Sequence, residues 1–516
     1  MIDRRRLLQA SAAALGLCSS LLPSRAAVAS SANAQQAAAH ALNRLGFGPR
    51  PGDLATVARD PRAWVEQQLQ PASLPLPDGL AQRLGEERFT GGDPIAAVRE
   101  FLALLRDERA LAKAQGPAAT PVRPQDQPVG RYVLSLQRPA LESRLLRALQ
   151  SPRQLEEAMV DFWFNHFNVF QAKNFMRVLV GYYEHQAIRP FALGRFRDLL
   201  GATAHHPAML YYLDNASSVG PQAAARGRGL NENYARELME LHTLGVDGGY
   251  TQQDVTQLAR MLTGWTYLPI APDGPRGLRA GASPGGGAMP GFWFDERLHD
   301  HAEKQWLGER VAPQGQAEGE FALDLLARHP ATARHIAFKL AQYFVADQPP
   351  PALVDRMAAV FLAEDGQIVP VLRAMFRSDD FWAPQNMGAK FKTPYHYVLS
   401  TVRAGGWATE HAAPLAGPMA GQGMPLYGCQ TPDGYPNTEA AWLSADGLDK
   451  RLEFATQLAR GRIGPEFLAG GMAAAELMNE LGPLVTPATR SVVEQHQGEP
   501  AVAVALVLAS PGMMRR

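Results

Sequence analysis

The chain has 516 residues, 46% of them hydrophobic, with 50 basic and 50 acidic side chains. This composition is typical of a packed globular protein and excludes an intrinsically disordered chain. It also lacks the excess of lysine and arginine with which nucleic-acid-binding proteins contact phosphates, so we expect no nucleic-acid partner.

The N-terminal segment predicts an export signal. The run Asp3-Arg4-Arg5-Arg6-Leu7-Leu8 is typical of the charged region of a twin-arginine signal, and apolar or small residues follow it. Ala27-Val28-Ala29 supplies a cleavage site, with Ala32-Asn33-Ala34 as a second candidate. We predict a twin-arginine signal peptide over residues 1–29 and a periplasmic or secreted mature chain that begins at Ser30.

The predicted mature chain has a net charge of −3 and one cysteine, Cys429, which excludes an intrachain disulfide. Its longest apolar run, residues 501–509, is far shorter than the roughly 20 residues of a transmembrane helix. We therefore expect a protein stabilised by burial, without a membrane span.

Helical periodicity dominates the mature chain. The predicted helices cover residues 35–45, 94–113, 151–166, 189–204, 230–244, 252–262 and much of 318–377. Stretches rich in Gly and Pro predict long flexible loops near 115–131, 269–291 and 417–436. Residues 292–294 and 304–307 are strand candidates that would pair as one short β-hairpin. The predicted fold is all-α, a single large helical domain over residues 30–516.

The central block of the sequence resembles a known bacterial family. The matching stretches are Phe162-Trp163-Phe164-Asn165-His166-Phe167, Ile188-Arg189-Pro190, His206-Pro207-Ala208-Met209-Leu210, residues 229–238, residues 240–246, Leu262-Thr263-Gly264-Trp265 and His299-Asp300. Together they resemble the family called domain of unknown function 1800, over nearly the whole mature chain. The resemblance implies export but no reaction. It also implies a candidate partner, a protein of the sulfatase-like family 1501 that is often encoded beside members.

A helical wheel of residues 230–244 points to two carboxylates. Glu237 falls inside the apolar stripe and Glu240 at its edge. A carboxylate that faces a core must be paired, protonated or bound to a metal, because an isolated buried charge is very costly. His166 faces the core in the same way on the helix over residues 151–166, so the two side chains could meet in one site.

Two interpretations of this site remain open. In the first, His166, Glu237 and Glu240 are catalytic acid/base groups or metal ligands, with a transition metal as the candidate cofactor. In the second they form a structural network, in which Glu237 pairs with Arg189 or Arg195 and His166 caps a backbone carbonyl.

His299-Asp300-His301 is a second candidate site. On a strand, His299 and His301 would share a face and could bind Zn, Cu or Fe, with Asp300 in support. A polar loop contact is the alternative. The stretch 421–436, with Tyr427, Asp433 and Tyr435, could line a cleft.

Two classes of function fit these features. The first is a periplasmic enzyme with its site on the central helical block. The second is a non-enzymatic exported binding or assembly protein that works with the sulfatase-like neighbour. The inward-facing His166 and Glu237 favour the enzyme, and the absence of a complete catalytic motif favours the binding protein.

Overall fold

The structure is a computed structural model that describes residues 25–115, 123–224, 229–268, 289–407, 409–464 and 471–516. Residues 1–24 of the predicted signal peptide and most of the predicted loop over 269–291 lie outside the described residues. No helix in the described part of the chain is long and apolar enough to cross a membrane.

Helices are the dominant regular structure and strands are few and short, which confirms the all-α prediction. The first thirteen α-helices are α1 (Arg25–Arg44), α2 (Asp53–Val57), α3 (Pro61–Gln68), α4 (Leu80–Leu84), α5 (Glu87–Thr90), α6 (Pro94–Gln115), α7 (Pro128–Gln150), α8 (Gln154–His166), α9 (Met176–Tyr183), α10 (Phe196–His205), α11 (Pro207–Tyr212), α12 (Asn233–Glu237) and α13 (Gln252–Met261). Two π-helices, π1 (Glu184–Ile188) and π2 (Leu238–Thr243), continue α9 and α12 directly.

The C-terminal part is also helical. It contains α14 (Gln316–Arg328), α15 (Pro330–Phe344), α16 (Pro351–Ala363), α17 (Ile368–Phe376), α18 (Asp379–Trp382), α19 (Pro394–Ala404), α20 (Ala416–Gly421), α21 (Glu439–Trp442), α22 (Ala445–Ala459), α23 (Ala474–Leu481), α24 (Pro487–Glu494), α25 (Pro500–Leu508) and α26 (Pro511–Met514). Short 3-10 turns lie at Pro71–Ser73, Pro124–Asp126, Arg189–Phe191, Asn215–Ser217, Pro221–Ala223, Glu296–Leu298, Pro384–Asn386, Ala413–Leu415 and Gly482–Leu484.

Local sequence signals explain several helix boundaries. The Thr251 side chain accepts a hydrogen bond from the Asp254 amide, and the Asp254 side chain accepts one from the Thr251 amide, which completes the capping box that begins α13. His206 accepts from the amide of Ala208 and so caps α11. Helix α7 begins at Pro128, so the loop predicted over 115–131 ends earlier than expected.

The prediction of one β-hairpin was wrong in its pairing. Strand β2 (Phe292–Phe294) pairs antiparallel with β1 (Trp265–Tyr267), and β3 (Lys304–Trp306) pairs antiparallel with β4 (Glu309–Val311). The two residues between β3 and β4, Leu307 and Gly308, both have positive φ, which is the geometry of a tight two-residue hairpin turn. Because this turn lets β3 pair with the next strand along the chain, β4, β2 pairs instead with β1, which precedes the Gly/Pro-rich stretch.

A chain of buried ion pairs ties the central helices together. Arg144 on α7 donates to Asp161 on α8 at 2.7 Å and to Glu184 on π1 at 2.9 Å. Glu184 is fully buried and also accepts from Arg189 at 3.0 Å and from the Tyr427 hydroxyl at 2.8 Å. Burial opposes ionisation of this carboxyl, but the two guanidinium groups outweigh burial and lower its pKa to about 2.

This network predicts a large effect of one substitution. Arg144→Met would leave Asp161 and Glu184 buried without their shared counter-charge, so we expect a loss of about 3–5 kcal/mol in the free energy of unfolding. Denaturant unfolding measures the loss. Arg106→Met is the matched control, because Arg106 is 61% exposed and its pairing with Asp107 is a surface contact. Equal stability of the two variants would show that the buried network does not hold these helices.

Candidate functional site

His166 lies at the C-terminal end of α8, where a backbone carbonyl and two aromatic rings fix its side chain. Its Nε2 lies 3.1 Å from the carbonyl oxygen of His242, and the rings of Phe162 and Phe167 pack against it. Burial, then the nearby charge of Lys339, keep the pKa of His166 well below its usual value. The ring is therefore neutral, and because Nε2 must donate to a carbonyl, Nδ1 carries the lone pair.

The structure corrects the helical wheel of residues 230–244. The helix begins at Asn233, and π2 replaces the α-helical turn from Leu238 onward. A π-turn holds more residues than an α-turn, so side chains beyond Leu238 rotate away from the positions that a 100° wheel assigns. His242 is buried, whereas Leu230, which the predicted helix included, is 38% exposed.

Glu237 and Glu240 are consequently half-buried rather than core residues. Glu237 forms no ion pair within the described residues, because Arg189 pairs with Glu157 and Glu184 and Arg195 pairs with Asp365. Burial, and then the charge of Glu240, raise the pKa of Glu237; Asp433 adds to the effect. Neither glutamate is among the residues that line the cavity beside His166.

That cavity has a volume of about 260 Å³. Helix α8 contributes Asp161, Phe162, Asn165 and His166, α15 contributes Lys339, Gln342 and Tyr343, α19 and its N-cap contribute His396 and Thr393, and the remaining lining residues are Met424 and 433–438. At about 30 Å³ per water molecule, this space accommodates a ligand the size of roughly nine waters.

Residues 433–438 close the outer side of the cavity. The amide of Tyr435 donates to the side-chain oxygen of Asn165 at 2.7 Å, and the Asn165 amide group donates back to the Tyr435 carbonyl at 2.8 Å. Asp433 and Pro436 are exposed, whereas Asp161 and His396 are buried, so the opening lies at this segment and the floor on α8 and α19. Of the three residues predicted to line a cleft, Asp433 and Tyr435 line this cavity, whereas Tyr427 is buried and donates to Glu184.

The floor continues the ion-pair network. The Tyr343 hydroxyl donates to Asp161 at 3.1 Å and lies 3.1 Å from Nε2 of His396. Arg516 lies 2.8 Å from the same nitrogen. Burial, and then the charge of Arg516, keep the pKa of His396 well below its usual value, so this ring is also neutral.

Lys339 also lines the cavity, and it is not among the site residues predicted from the sequence. Its amine makes no hydrogen bond or ion pair with any described residue, and burial lowers its pKa despite the opposing charge of Asp433. The signal was present in the sequence, because His335, Lys339 and Tyr343 recur every four residues on a helix whose neighbouring positions, Ile336 and Leu340, are apolar.

His299 and Asp300 lie in a separate buried network. His299 Nδ1 is 2.8 Å from the Thr263 carbonyl and Nε2 is 3.0 Å from Glu318, while Asp300 accepts from Arg260 at 2.7 Å. Glu318 also pairs with Lys304 at 2.6 Å. His299 and Asp300 therefore form polar contacts, which was the alternative to a metal site.

The expected H-x-H face is not formed. Residues Glu296–Leu298 form a 3-10 turn and His299 follows it as irregular chain, so His299 is buried while His301 is exposed and pairs with Glu296. Over the residues that the structure describes, no group of three or more His, Cys, Asp or Glu side chains is arranged to hold a metal ion.

Comparison with known proteins places the chain in a family without assigning a reaction. A family model described as protein of unknown function (DUF1800) matches residues 40–515, and the chain belongs to this family. No curated protein and no solved structure matches the chain significantly.

Gly434 generates a prediction about the closing segment. It has a φ of +73°, and a Cβ there would overlap the backbone oxygen of Asn165. We expect Gly434→Ala to cost roughly 1–3 kcal/mol in backbone strain and to loosen residues 424–438. Thermal unfolding and hydrogen exchange of that segment measure both effects. Gly417→Ala, on α20, is the control, because nothing lies within 4 Å of its Cβ position. Identical exchange in the two variants would contradict close packing at Gly434.

Proposed function

We propose that the protein is an exported enzyme that carries out proton transfer on a small polar molecule in the His166 cavity. The observation that carries the proposal is the unpartnered Nδ1 of His166. The neutral ring lines the cavity, its other nitrogen is fixed on a backbone carbonyl, and Nδ1 has no partner among the described residues. A buried neutral imidazole with a free lone pair is suited to act as a general base.

Besides this base, the cavity is lined by charged and polar groups that can bind the substrate. Asp433 supplies a carboxylate and Lys339 an amine, and Asn165, Gln342 and Thr438 supply amide and hydroxyl groups. These groups therefore bind the substrate, whereas His166 takes up the proton in the reaction. Glu237 lies outside the cavity lining, and the charge of Asp433 contributes to its raised pKa.

His166→Gln tests the proposed base. Incubation of the purified protein with small-molecule extracts of the cell envelope and medium, followed by mass spectrometry, identifies the compound that is consumed. We expect the variant to turn that compound over about 10²–10⁴ times more slowly, the range typical of a lost general base. His301→Gln is the control, because His301 is exposed. Turnover by the His166→Gln variant at the wild-type rate would exclude His166 as the base.

The pH profile gives an independent check of the same residue. Because the pKa of His166 is lowered, its base form persists when the pH falls through the ordinary range near 6.5. We expect kcat/KM of the wild type to stay level between about pH 6 and 7.5. An acid limb centred near pH 6.5 that disappears in the His166 variant would contradict the neutral, desolvated base.

The export part of the proposal is tested at the signal. Conservative replacement of both Arg4 and Arg5 by lysine keeps the charge but removes the paired guanidinium groups. We expect the protein to remain in the cytoplasmic fraction as the unprocessed chain, as shown by fractionation and immunoblotting. Arg25→Lys, outside the arginine run, is the control. Normal processing of the doubly substituted chain would exclude the twin-arginine route.

A further inference from the structure

Lys339 differs from the other lysines of the described chain. Lys173, Lys304, Lys390 and Lys450 each form an ion pair with a carboxylate, Lys392 is fully enclosed, and Lys113 is exposed on α6. Lys339 lines the cavity beside His166, and its amine has no carboxylate within ion-pair distance among the described residues. A primary amine that lines a cavity without a charge partner is free to react with what binds there.

We propose that Lys339 is a nucleophile that forms an imine with a short hydroxylated aldehyde or ketone bound in the cavity. The inference rests on the proposed function only in taking this cavity as the reaction site. It adds a covalent step and a substrate class that proton transfer alone does not specify.

The chemistry balances with the groups present. The neutral Lys339 amine attacks the carbonyl carbon, a C–N bond forms, and the carbonyl π electrons move to oxygen. His166 Nδ1 takes the proton from the nitrogen and passes it to that oxygen, which gives a carbinolamine. The nitrogen lone pair then forms C=N while His166 Nδ1 takes the remaining nitrogen proton and passes it to the hydroxyl group, which leaves as water. The net reaction is amine plus carbonyl to imine plus water.

Two features of the cavity favour this step. Burial lowers the pKa of Lys339, which increases the fraction of neutral amine, the form that attacks a carbonyl. Lys339 and His166 also line the same cavity, so a carbonyl compound bound there has both an amine and a proton acceptor in its surroundings.

The lining indicates the class of carbonyl compound. Asn165, Gln342, Asn437 and Thr438 offer amide and hydroxyl groups, which match hydroxyl substituents better than a hydrocarbon tail. The cavity volume of about 260 Å³ suits a small molecule. A short polyhydroxylated aldehyde matches both features.

Reductive trapping tests the proposal on the purified full chain. The protein is incubated with glyceraldehyde and cyanoborohydride at neutral pH, and modified lysines are mapped by peptide mass spectrometry. We expect Lys339 to be labelled roughly tenfold more than the exposed, ion-paired Lys450, and more strongly with glyceraldehyde than with propanal. Lys339→Arg should remove the preferential label, whereas Lys450→Arg should not affect it.

The outcomes separate this inference from the proposed function. Preferential labelling of Lys339 that slows in His166→Gln supports the imine and the proton transfer. Labelling of Lys339 at or below the level of Lys450, in a protein whose near-ultraviolet circular dichroism is native, overturns the imine even if His166→Gln abolishes turnover. A trapped Lys339 adduct together with full turnover by His166→Gln supports the imine and overturns His166 as the base.

Discussion

The buried guanidinium of Arg144 is the interaction on which the centre of the molecule depends. It joins three elements at once, because α7 supplies the cation and α8 and π1 supply its two carboxylates, Asp161 and Glu184. Its face is also covered by the rings of Phe164, Tyr395 and Tyr427. A buried charge of this kind is tolerated only when its hydrogen-bonding and charge partners are in place, so it fixes how these elements approach one another.

The cavity differs from this network because some of its polar groups have no partner. Asp161 faces both, since one oxygen accepts from Arg144 and the other from the hydroxyl of Tyr343 on the cavity floor. The floor is therefore satisfied and rigid, whereas His166 Nδ1 and the Lys339 amine retain unused bonding capacity. Polar groups left without partners beside a rigid, satisfied floor are what a ligand can use, because they gain the most from binding.

The sequence predicted the local features and not the pairings between distant residues. Capping by Thr251, the inward direction of His166 and the cleft at Asp433 all follow from short-range patterns. The wheel misplaced residues beyond Leu238 because it assumes an α-helix, and no composition signal marks the π-turn that begins there. The partners of β2 and the bonds of Arg144 depend on tertiary packing, which periodicity does not encode.

The π-turn makes the two interpretations of His166 compatible. Carbonyls at a helix end lack intrahelical donors. Here the Leu241 and His242 carbonyls of π2 accept from His335 and His166 instead. The hydrogen bond from His166 to this carbonyl is thus structural. It also keeps the proton on Nε2 and leaves the lone pair on Nδ1. The structural contact and the chemical role are therefore not alternatives, because the first prepares the tautomer that the second requires.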